Sequence, residues 1–524
     1  MKKNVKLLGI LALVATMVGC SSLTGTPEKD YELTIVHVND VHGRAEEGKN
    51  DGVGYARVAT IAKDLEKDSK NGQVLMLDAG DVLHGTTFAT LNKGESMVSV
   101  LNAAGVDYMV PGNHDFNYGE ARLKELMKQA KFNVLASNVV DKNTKQHIGK
   151  EYDIKVIDGV KVGFFGLATP ETYFKTNPKN VENIEFIDPI VSAKETVAKL
   201  KEQGAQFIVL LSHLGDDTST EKKYQSIGVA EAVPAINLIV DGHSHTKLDE
   251  KKVVNGVTIV QTGEYSKNVG VVKVDFDELV KGAQAIDYTL MTKDQIMGGE
   301  INGKLVVGVA EDEVVASTIK NIKDKQKAVT GVVIGSTPVK LEGDRSVVRT
   351  GESNLAQVIT DAMLWKTGAD VALTNGGGIR ASINKGQITV GDVITVLPFG
   401  NYVITKSVKG SDLKAALEHG LRAYPESLGG FSQVAGLTVK FDPTKPEGQK
   451  VQEVKVKGKK LDMNKYYVVA TNDFMAIGGD GYSSLKSGKE LAHYPGLDEV
   501  LVEYIQKVGI KNREQAQKRI IPTK

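Results

Sequence analysis

The feature that most constrains this chain is a pattern that occurs five times, in which a short apolar run ends in polar side chains. The runs span residues 33–38, 73–77, 108–110, 207–211 and 238–240. Short apolar runs rich in β-branched residues are typical of buried strands, and residues beyond the carboxyl ends of such strands face a crevice in α/β sheets. The pattern therefore predicts an α/β domain in which five strand ends surround one polar site.

The residues that follow these runs carry side chains that metals and phosphates prefer. Each one alone allows a simpler interpretation, because Gly-Asn is common in turns and a histidine beside it can be a solvated loop residue. Their repetition at five strand ends favours a binding site. The candidate ligands offer oxygen and nitrogen atoms and no sulfur, and they are Asp40, His42, Asp81, Asn113, His213, His243 and His245.

Seven protein ligands are more than one tetrahedral ion requires. The set suits two divalent ions that share a bridging carboxylate, an arrangement that holds the attacking and leaving oxygens in phosphoryl transfer. Mixed histidine, aspartate and asparagine donors accept zinc, manganese, cobalt or iron, so the identity of the metal stays open.

These motifs resemble those of calcineurin-like metallophosphoesterases, and within them the 5′-nucleotidase and UDP-sugar hydrolase family. The matching segments are Asp40-Val41-His42-Gly43, Gly80-Asp81, Gly112-Asn113-His114, the isolated His213 and Gly242-His243-Ser244-His245. The resemblance implies one ion held by Asp40, His42, Asp81 and His245, and a second held by Asp81, Asn113, His213 and His243. It also implies an αββα sandwich, which periodicity alone does not distinguish from a doubly wound sheet.

A later part of the chain places glycine-rich segments next to aromatic and basic residues, in Asn375-Gly376-Gly377-Gly378-Ile379-Arg380 and in Leu397-Pro398-Phe399-Gly400-Asn401. A glycine triplet alone marks a tight turn more often than a phosphate site, but a guanidinium group matches phosphate oxygens with paired hydrogen bonds. These segments resemble the substrate-binding domain of the same family. The resemblance implies phosphate contacts from Arg345, Arg349 and Arg380, base stacking by Phe399 and Phe474, and ribose or base contacts from Asn375, Asn401, Gly436 and Asp480.

The length and the change of composition along the chain predict two domains. A chain of 524 residues is too long for one ordinary domain. We expect a metallophosphoesterase domain over residues 31–300, a lysine-rich linker helix region over 301–335, and an α/β (α+β) substrate-binding domain over 336–524. Lysine and arginine number 65, as do aspartate and glutamate. This balance gives no electrostatic reason to bind a nucleic-acid polymer, so the expected partner is a nucleotide-sized molecule.

The N-terminus predicts export. Residues 1–19 place three lysines before an apolar stretch that is too short for a confident membrane span, which is typical of a signal peptide. Cys20, the only cysteine, follows Gly19 and resembles the cleavage site of a bacterial lipoprotein. The alternative is a plain signal with an incidental cysteine. The lipoprotein interpretation predicts lipidation of Cys20, a tether over residues 20–30, an extracytoplasmic location and membrane contact through the lipid only.

The predicted reaction is hydrolysis of a phosphate monoester by water that two metal ions activate. His114 is placed to assist the leaving group. Members of the nucleotidase family commonly carry Asp where this chain has Asn117, which orients an imidazole but does not stabilise its charged form. Because the related 2′,3′-cyclic-nucleotide phosphodiesterase and 3′-nucleotidase branch also has Asn there, cyclic nucleotides are the alternative substrates. The alternative of another class is a surface lipoprotein that only binds nucleotides.

Three polar residues beside the expected ligands have weaker assignments. His84 is interpreted as a wall of the site, because the family pattern places no ligand there. Asp78 and Asp241 are interpreted as partners that orient the ligand imidazoles. The oligomeric state stays open.

Overall fold

The computed structural model describes residues 30–48, 51–176, 178–217, 220–301, 304–510 and 515–523. The predicted signal, Cys20 and all but the last residue of the predicted tether lie outside these residues. Strands of the first domain are β1 (Leu33–Val38), β2 (Gln73–Asp78), β3 (Tyr108–Met109), β4 (Asn133–Val134), β5 (Val139–Asp141), β6 (Tyr152–Ile157), β7 (Val160–Ala168), β8 (Ile184–Phe186), β9 (Phe207–His213), β10 (Leu238–Val240), β11 (Lys252–Val254), β12 (Val257–Val260), β13 (Asn268–Val274) and β14 (Ile286–Thr292).

Two six-stranded sheets pack face to face in this domain, in the orders β14-β13-β1-β2-β3-β4 and β11-β12-β10-β9-β7-β6. Helices Tyr55–Glu66, Glu95–Ala104 and Glu120–Gln129 cover the outer face of the first sheet, and Pro189–Glu202 and Ser226–Ala232 cover that of the second. Shorter helices span Thr87–Thr90, Thr172–Lys175 and Lys293–Met297. The four layers confirm the predicted αββα sandwich.

Strand β1 shows why the sequence forms these layers. Leu33 and Ile35 face the core between the two sheets, whereas Val36 and Val38 face the helices. Because both faces are covered, the strand is a continuous apolar run rather than an alternating one.

The parallel order of the strands creates the polar site. Strand β1 runs parallel to β2, β2 runs parallel to β3, and β9 runs parallel to β10 in the other sheet. The carboxyl ends of parallel strands lie at the same edge of a sheet, and the two sheets align these edges. The five polar segments predicted from the sequence therefore converge.

Residues 134–138 begin as an apolar run, but the strand that they start is short. Only Val134 of that run lies in β4. Ser137 and Asn138 leave the sheet because their side chains bond to backbone carbonyls, with Ser137 Oγ donating to Gly166 and Asn138 Nδ2 donating to Ala168. Buried polar side chains of this kind compete with the regular ladder of a strand.

The linker helix, Glu313–Thr330, connects the two domains. Asp312 caps it, because its carboxylate accepts hydrogen bonds from the backbone N–H groups of Val314 and Val315 at 3.1 Å. Val315 and Ile319 are buried in the core of the first domain, and the lysines of the helix face solvent. The helix is therefore anchored on the first domain.

The second domain places a mixed five-stranded sheet, β21-β18-β25-β20-β26, between two apolar cores, one of which it shares with the sheet β24-β23-β22-β27. Helices Asn354–Thr367 and Leu497–Lys507 pack on one side and Gly410–Leu421 on the other. The remaining helices are Arg345–Val348, Val390–Val396, Asp473–Ala476 and Ser483–Lys486. The remaining strands of the chain are β15 (Gly299–Ile301), β16 (Lys304–Val306), β17 (Val333–Thr337), β18 (Val371–Asn375), β19 (Gly386–Thr389), β20 (Tyr402–Lys409), β21 (Ser432–Ala435), β22 (Leu437–Phe441), β23 (Val451–Val456), β24 (Lys459–Lys460), β25 (Tyr466–Asn472), β26 (Lys489–Gly496) and β27 (Ile520–Pro522).

Within the described part of the chain, no helix combines the length and the apolar character that crossing a bilayer requires.

Candidate active site

The ends of β1, β2, β9 and β10 bring five of the seven predicted ligands together. His42 Nε2 lies 3.8 Å from Asp81 Oδ2 and 3.2 Å from His245 Nε2. His213 Nε2 lies 3.3 Å from Asp81 Oδ2 and 3.9 Å from Asp40 Oδ1. His245 Nε2 lies 3.3 Å from the same Asp40 oxygen. These side chains form one compact cluster rather than separate loop contacts.

The other two predicted ligands flank this cluster. The ring of His243 lies 5.1 Å from that of His213, centroid to centroid. Asn113 begins a single helical turn, Asn113–Phe116, after Gly112. A methyl group on Gly112 would lie 2.3 Å from Asp81 Oδ1 and 2.7 Å from His213 Nε2. Only glycine allows this loop to approach the cluster so closely, which gives the Gly-Asn-His motif a physical reason.

The backbone of the ligand segments is strained. The angle φ is 51° at Asp40, 49° at His42, 56° at Asp81, 79° at His243 and 56° at His245. A left-handed conformation in a residue other than glycine costs about 1–3 kcal/mol and is concentrated at functional sites. Five strained residues among seven candidates indicate that the fold places these side chains for a purpose other than stability.

Several atoms of the cluster are buried without a hydrogen-bond partner. They include Asp40 Oδ1, Asn113 Oδ1 and His213 Nε2. A buried polar atom without a partner costs about 1–3 kcal/mol, so the cluster as it stands lacks a compensating group. Oxygen and imidazole nitrogen donors with no sulfur fit divalent cations of the zinc, manganese, cobalt or iron type. The residues present therefore fit the predicted metal ions.

Carboxylates and carbonyls outside the predicted set orient the ligand imidazoles. Glu264 hydrogen-bonds to His245 Nδ1, and Glu171 Oε2 lies 2.9 Å from His243 Nε2. The backbone carbonyl of Ala79 accepts a hydrogen bond from His213 Nδ1 at 2.6 Å. Such contacts fix the tautomer of each ring and leave its other nitrogen for a metal.

The interpretation of Asp78 and Asp241 as the partners of these rings is wrong. Asp78 accepts hydrogen bonds from the hydroxyl of Tyr55 and the backbone of Gly80. Asp241 accepts one from Ser212 Oγ at 2.6 Å and two from backbone N–H groups at 3.2 Å. Both carboxylates shape the strand ends, because Asp78 holds the backbone that follows β2 and Asp241 holds the backbone that follows β9.

Asp115 connects two ligand segments and was missed by the sequence interpretation. Its carboxylate accepts hydrogen bonds from the N–H groups of Asp81, Val82 and Leu83 at 2.8 to 3.0 Å, and from Gly112 at 2.8 Å. The segment after β2 and the segment after β3 are thereby held together. The position of Asp115 two residues after Asn113 was the only available signal.

A chain of hydrogen bonds orients His114. Thr176 Oγ1 donates to Asn117 Oδ1 at 2.6 Å, and Asn117 Nδ2 lies 3.0 Å from His114 Nδ1. Because an amide nitrogen only donates, Nδ1 accepts and the ring hydrogen is on Nε2. Burial lowers the pKa of His114 well below its usual range, and the guanidinium of Arg380 lowers it further, although Asp81 acts in the opposite direction. The ring is therefore neutral at neutral pH and has an N–H to donate.

The three predicted phosphate-binding arginines lie near one another at the border of the two domains. Arg345 Nη1 lies 3.0 Å from His245 Nδ1. Burial together with the charges of Arg345 and Arg380 lowers the pKa of Arg349 to about 9, and Arg349 Nε has no hydrogen-bond partner. Burial also lowers the pKa of Arg380. Like charges this close become favourable when an anion binds among them, so this cluster is a candidate anion site beside the predicted metal ligands.

Polar residues of the second domain gather at the end of β25. Asn375 Nδ2 donates to Asp480 Oδ2 at 2.6 Å, and Asn401 Nδ2 donates to Asp473 Oδ1 at 2.7 Å. Phe474 follows Asp473 and packs against Gly479, where a Cβ atom would lie 2.5 Å from its ring. The structure therefore brings Asn375, Asn401, Phe474 and Asp480 to one region.

The structure does not bring Gly436 to that region. It connects β21 to β22, and β21 runs antiparallel to β18 with Ser432 opposite Asn375 and Ala435 opposite Ala372. Gly436 therefore lies at the opposite end of β18 from Asn375. Its φ of 77° and the Asp370 carbonyl, 2.3 Å from where a Cβ would be, explain why the position requires glycine.

Phe399 reaches the first domain. Its ring lies 5.0 Å from that of His84 and 5.5 Å from that of His114, and Arg380 Cζ is 5.5 Å from its centre. The aromatic ring predicted to bind the base is thus next to His114, the predicted catalytic histidine, in this arrangement of the domains.

Comparisons with known proteins agree with this geometry. A family model described as calcineurin-like phosphoesterase matches residues 33–247, and one described as 5′-nucleotidase, C-terminal domain, matches residues 333–487. Protein UshA of Yersinia enterocolitica is 32% identical over 92% of each chain, and a 5′-nucleotidase of Vibrio cholerae is 30% identical over 97% of each chain. The crystal structure of a 5′-nucleotidase precursor from Thermus thermophilus superposes with a TM-score of 0.78 at 33% identity, and the match covers 94% of this chain and 99% of that one.

The sandwich fold and the cluster of metal ligands define a metal-dependent phosphoester hydrolase of the calcineurin-like class. Within this class the chain belongs to the 5′-nucleotidase family, in which the metallophosphoesterase domain is followed by the 5′-nucleotidase C-terminal domain.

Replacement of the proposed bridging ligand should abolish both metal binding and hydrolysis. Asp81→Ala removes the carboxylate that lies closest to His213 and His42, so neither ion would keep its ligand set. We expect phosphate release to fall to background, and metal analysis of the purified protein to show the loss. Asp324→Ala, a change of an exposed aspartate of the linker helix that pairs with Lys320 and Lys327, is the matched control and should retain metal. Substantial hydrolysis by metal-depleted Asp81→Ala protein would contradict the assignment.

The unusual Asn117 should determine the protonation of His114. In Asn117→Asp a carboxylate replaces the amide, and its charge should raise the pKa of His114. The protonated form would then persist to higher pH, so the part of the kcat profile that depends on protonation of His114 should shift to higher pH. In His114→Ala kcat should fall by about 10²–10⁴ while the metal content is unchanged. A pH profile that does not respond to Asn117→Asp would show that this position does not influence the acid.

Proposed function

We propose that this enzyme is an extracytoplasmic nucleotide phosphohydrolase that releases phosphate from 5′-nucleotides for nucleotide scavenging. The observation that carries the proposal is the contact between the anion site and the metal ligands, in which Arg345 Nη1 lies 3.0 Å from His245 Nδ1. A phosphate held by the arginines would thus lie directly beside the ligand cluster. The names of the relatives, 5′-nucleotidases among them, support the same substrate class.

The proposed division of roles takes the two ligand sets from the family resemblance and the roles of the other residues from their contacts. Asp40, His42, Asp81 and His245 would hold one divalent ion, and Asp81, Asn113, His213 and His243 a second. Such ions would lower the pKa of the attacking water and neutralise charge on the phosphoryl oxygens. His114 would donate its Nε2 hydrogen toward the leaving oxygen, with Asn117 and Thr176 maintaining the tautomer. Arg345, Arg349 and Arg380 would hold the phosphate oxygens with fixed guanidinium geometry.

The second domain would recognise the nucleoside. The ring of Phe399 and that of Phe474 are the proposed stacking partners for the base, since any base offers a face to an aromatic ring. Asn375, Asn401 and Asp480 surround the end of β25, where their amide and carboxylate groups can contact ribose and base. Gly436 has no part in this proposal.

The cellular location is part of the proposal. The apolar segment before Cys20 supports export and lipidation at that residue. Cys20 would then carry the lipid, with membrane contact through the lipid alone. An exposed location would give the enzyme access to nucleotides outside the cytoplasm.

The contact of Asn117 with His114 also supports a second candidate, the hydrolysis of 2′,3′-cyclic nucleotides. A neutral, amide-oriented imidazole donates a hydrogen bond without carrying a charge, which suits a diester substrate as well as a monoester. UDP-sugars are a third substrate class that the same site could accept. The interpretation as a pure nucleotide binder is not supported, since membership of a hydrolase family and an intact ligand set indicate catalysis.

A substrate panel tests the proposal. Release of inorganic phosphate from a 5′-mononucleotide, a UDP-sugar and a 2′,3′-cyclic nucleotide should be measured with and without a chelator, the UDP-sugar and the cyclic nucleotide with an added monoesterase that acts on their monoester products. We expect the 5′-mononucleotide to be the best substrate and the chelator to stop the reaction. A wild type that opens cyclic nucleotides at least as fast as it hydrolyses monoesters would favour the second candidate. No hydrolysis of any of the three would contradict the proposal.

Loss of the base-binding rings should affect nucleotides selectively. Phe474→Ala removes one stacking partner, which is worth about 1–3 kcal/mol of base binding, so KM for a nucleotide should rise at least about fivefold. An aryl phosphate lacks the base and serves as the matched control substrate, whose KM should change little. Equal increases for both substrates would show that Phe474 is a packing residue.

A further inference from the structure

His84 belongs to the first domain but makes its closest polar contact with the second. Its ring Nε2 lies 2.9 Å from the carbonyl oxygen of Pro398. The ring is stacked on that of Phe399, with centroids 5.0 Å apart and planes 26° apart. The residue is 1% exposed, so both contacts are shielded from water. Among the described residues, the groups of side chains that could hold a metal ion do not include His84.

A second contact lies one turn further along the chain. Thr87 Oγ1 donates to the carbonyl of Gly391 at 2.9 Å and lies 2.5 Å from Thr395 Oγ1. These atoms join the short helix Thr87–Thr90 to the helix Val390–Val396, which leads into the loop that carries Pro398 and Phe399. The segment 84–87, which follows the proposed ligand Asp81, therefore contacts the second domain at both of its ends, through His84 and Thr87.

The choice of histidine at position 84 has a chemical reason. A carbonyl oxygen only accepts hydrogen bonds, so the ring must carry its hydrogen on Nε2, and a flat ring is needed to stack on Phe399. Phenylalanine would supply the ring without the donor, and glutamine would supply a donor without the ring. Histidine supplies both, and burial lowers its pKa to about 4, which keeps it neutral next to the arginines.

The position of His84 relative to His114 shows what the contact does. The two imidazoles are nearly parallel, with centroids 6.0 Å apart and planes 15° apart, and Phe399 contacts both. The Pro398–Phe399 loop therefore lies beside His114 in the same arrangement in which it contacts His84. In the proposed function Arg380 and Phe399 bind the substrate. The position of this loop on His84 therefore determines where the substrate lies relative to the metal ligands.

We propose that His84 is a positioning residue that holds the substrate-binding domain in the arrangement in which the bound nucleotide meets the metal site. It acts through the Pro398 carbonyl and the Phe399 ring and does not touch the reacting atoms. The inference rests on the proposed nucleotide substrate, but its structural part, the docking of the two domains, does not depend on which phosphoester is hydrolysed.

Three substitutions separate the two contacts. His84→Phe keeps the ring and loses the donor, His84→Gln keeps a donor and loses the ring, and His84→Ala loses both. The matched control is His147→Phe, a change of a partly buried histidine that contacts Glu151 within the first domain. Metal content and thermal stability should be measured for all four variants. If His84 were only part of the wall of the metal site, its substitution would lower these two quantities before any other.

The decisive measurement is the distance between the domains. Cys20 is the only cysteine, so Cys20→Ser allows a fluorescent pair to be placed at the exposed positions Val156→Cys and Tyr466→Cys, which are both 63% exposed. Adenosine together with inorganic phosphate serves as the bound ligand pair in this measurement. We expect adenosine with phosphate to favour the distance of the docked arrangement, in which His84 contacts Pro398, in the wild type and in His147→Phe, and to do so much less in His84→Ala.

Kinetics give the second readout. In His84→Ala kcat for a nucleotide should fall roughly tenfold, the effect of one hydrogen bond and one ring contact together. His84→Phe and His84→Gln should each show part of this loss. The dissociation constant of adenosine, which is held by the second domain, should be unchanged in every variant.

Unchanged kcat and unchanged distance in His84→Ala would overturn the proposal, and so would a loss of metal or folding that accounts for the whole effect. A wild type that hydrolyses no nucleotide would contradict the proposed function, whereas the distance measurement would still decide the role of His84. The two failures are therefore distinguishable.

Discussion

The structure depends on a cluster of buried ligand atoms that the protein alone leaves uncompensated. Two carboxylates, Asp40 and Asp81, and the ring of His213 meet at 3.3 to 3.9 Å in a region closed to water. Burying such groups without full pairing is costly, and the left-handed backbone of the ligand segments adds to the cost. Divalent cations would supply the missing charge and bonds. The two stacked sheets, with three apolar cores in the first domain, provide the stability that allows this concentration of unfavourable local features.

The second domain follows the same physical logic with the opposite charge. Three arginines near one another are unfavourable until an anion arrives, and the lowered pKa of Arg349 reflects its burial first and that repulsion second. A site with excess negative ligands for metals and a site with excess positive ligands for phosphate lie side by side, with Arg345 touching His245. Each is incomplete alone, and a phosphoester between them would complete both. The neutral imidazole of His114 lies in the same region and contributes a hydrogen-bond donor without adding charge.

The parts of this account that follow from local sequence could be predicted, and the parts that depend on long-range contacts could not. The runs before Asp40 and Asp81 indicated strands because both faces of these strands are apolar, and parallel order then placed their ends together. Glu171 and Glu264 were missed, because their histidine partners lie 72 and 19 positions away and no local pattern marks a carboxylate that will orient an imidazole. The assignments of Asp78 and Asp241 were wrong because proximity in sequence to a ligand does not determine the direction of a side chain. Gly436 was placed by resemblance alone, and only the register of β21 against β18 shows that it lies at the opposite end of the strand.

The central claim is that the seven ligands hold two divalent ions that share Asp81. Its most direct test is anomalous diffraction from crystals of the purified protein, collected on both sides of the absorption edge of the metal that elemental analysis identifies. The account predicts two anomalous peaks per chain about 3.5–4 Å apart, both within bonding distance of the Asp81 carboxylate. A single peak, or two peaks of which only one contacts Asp81, would contradict it.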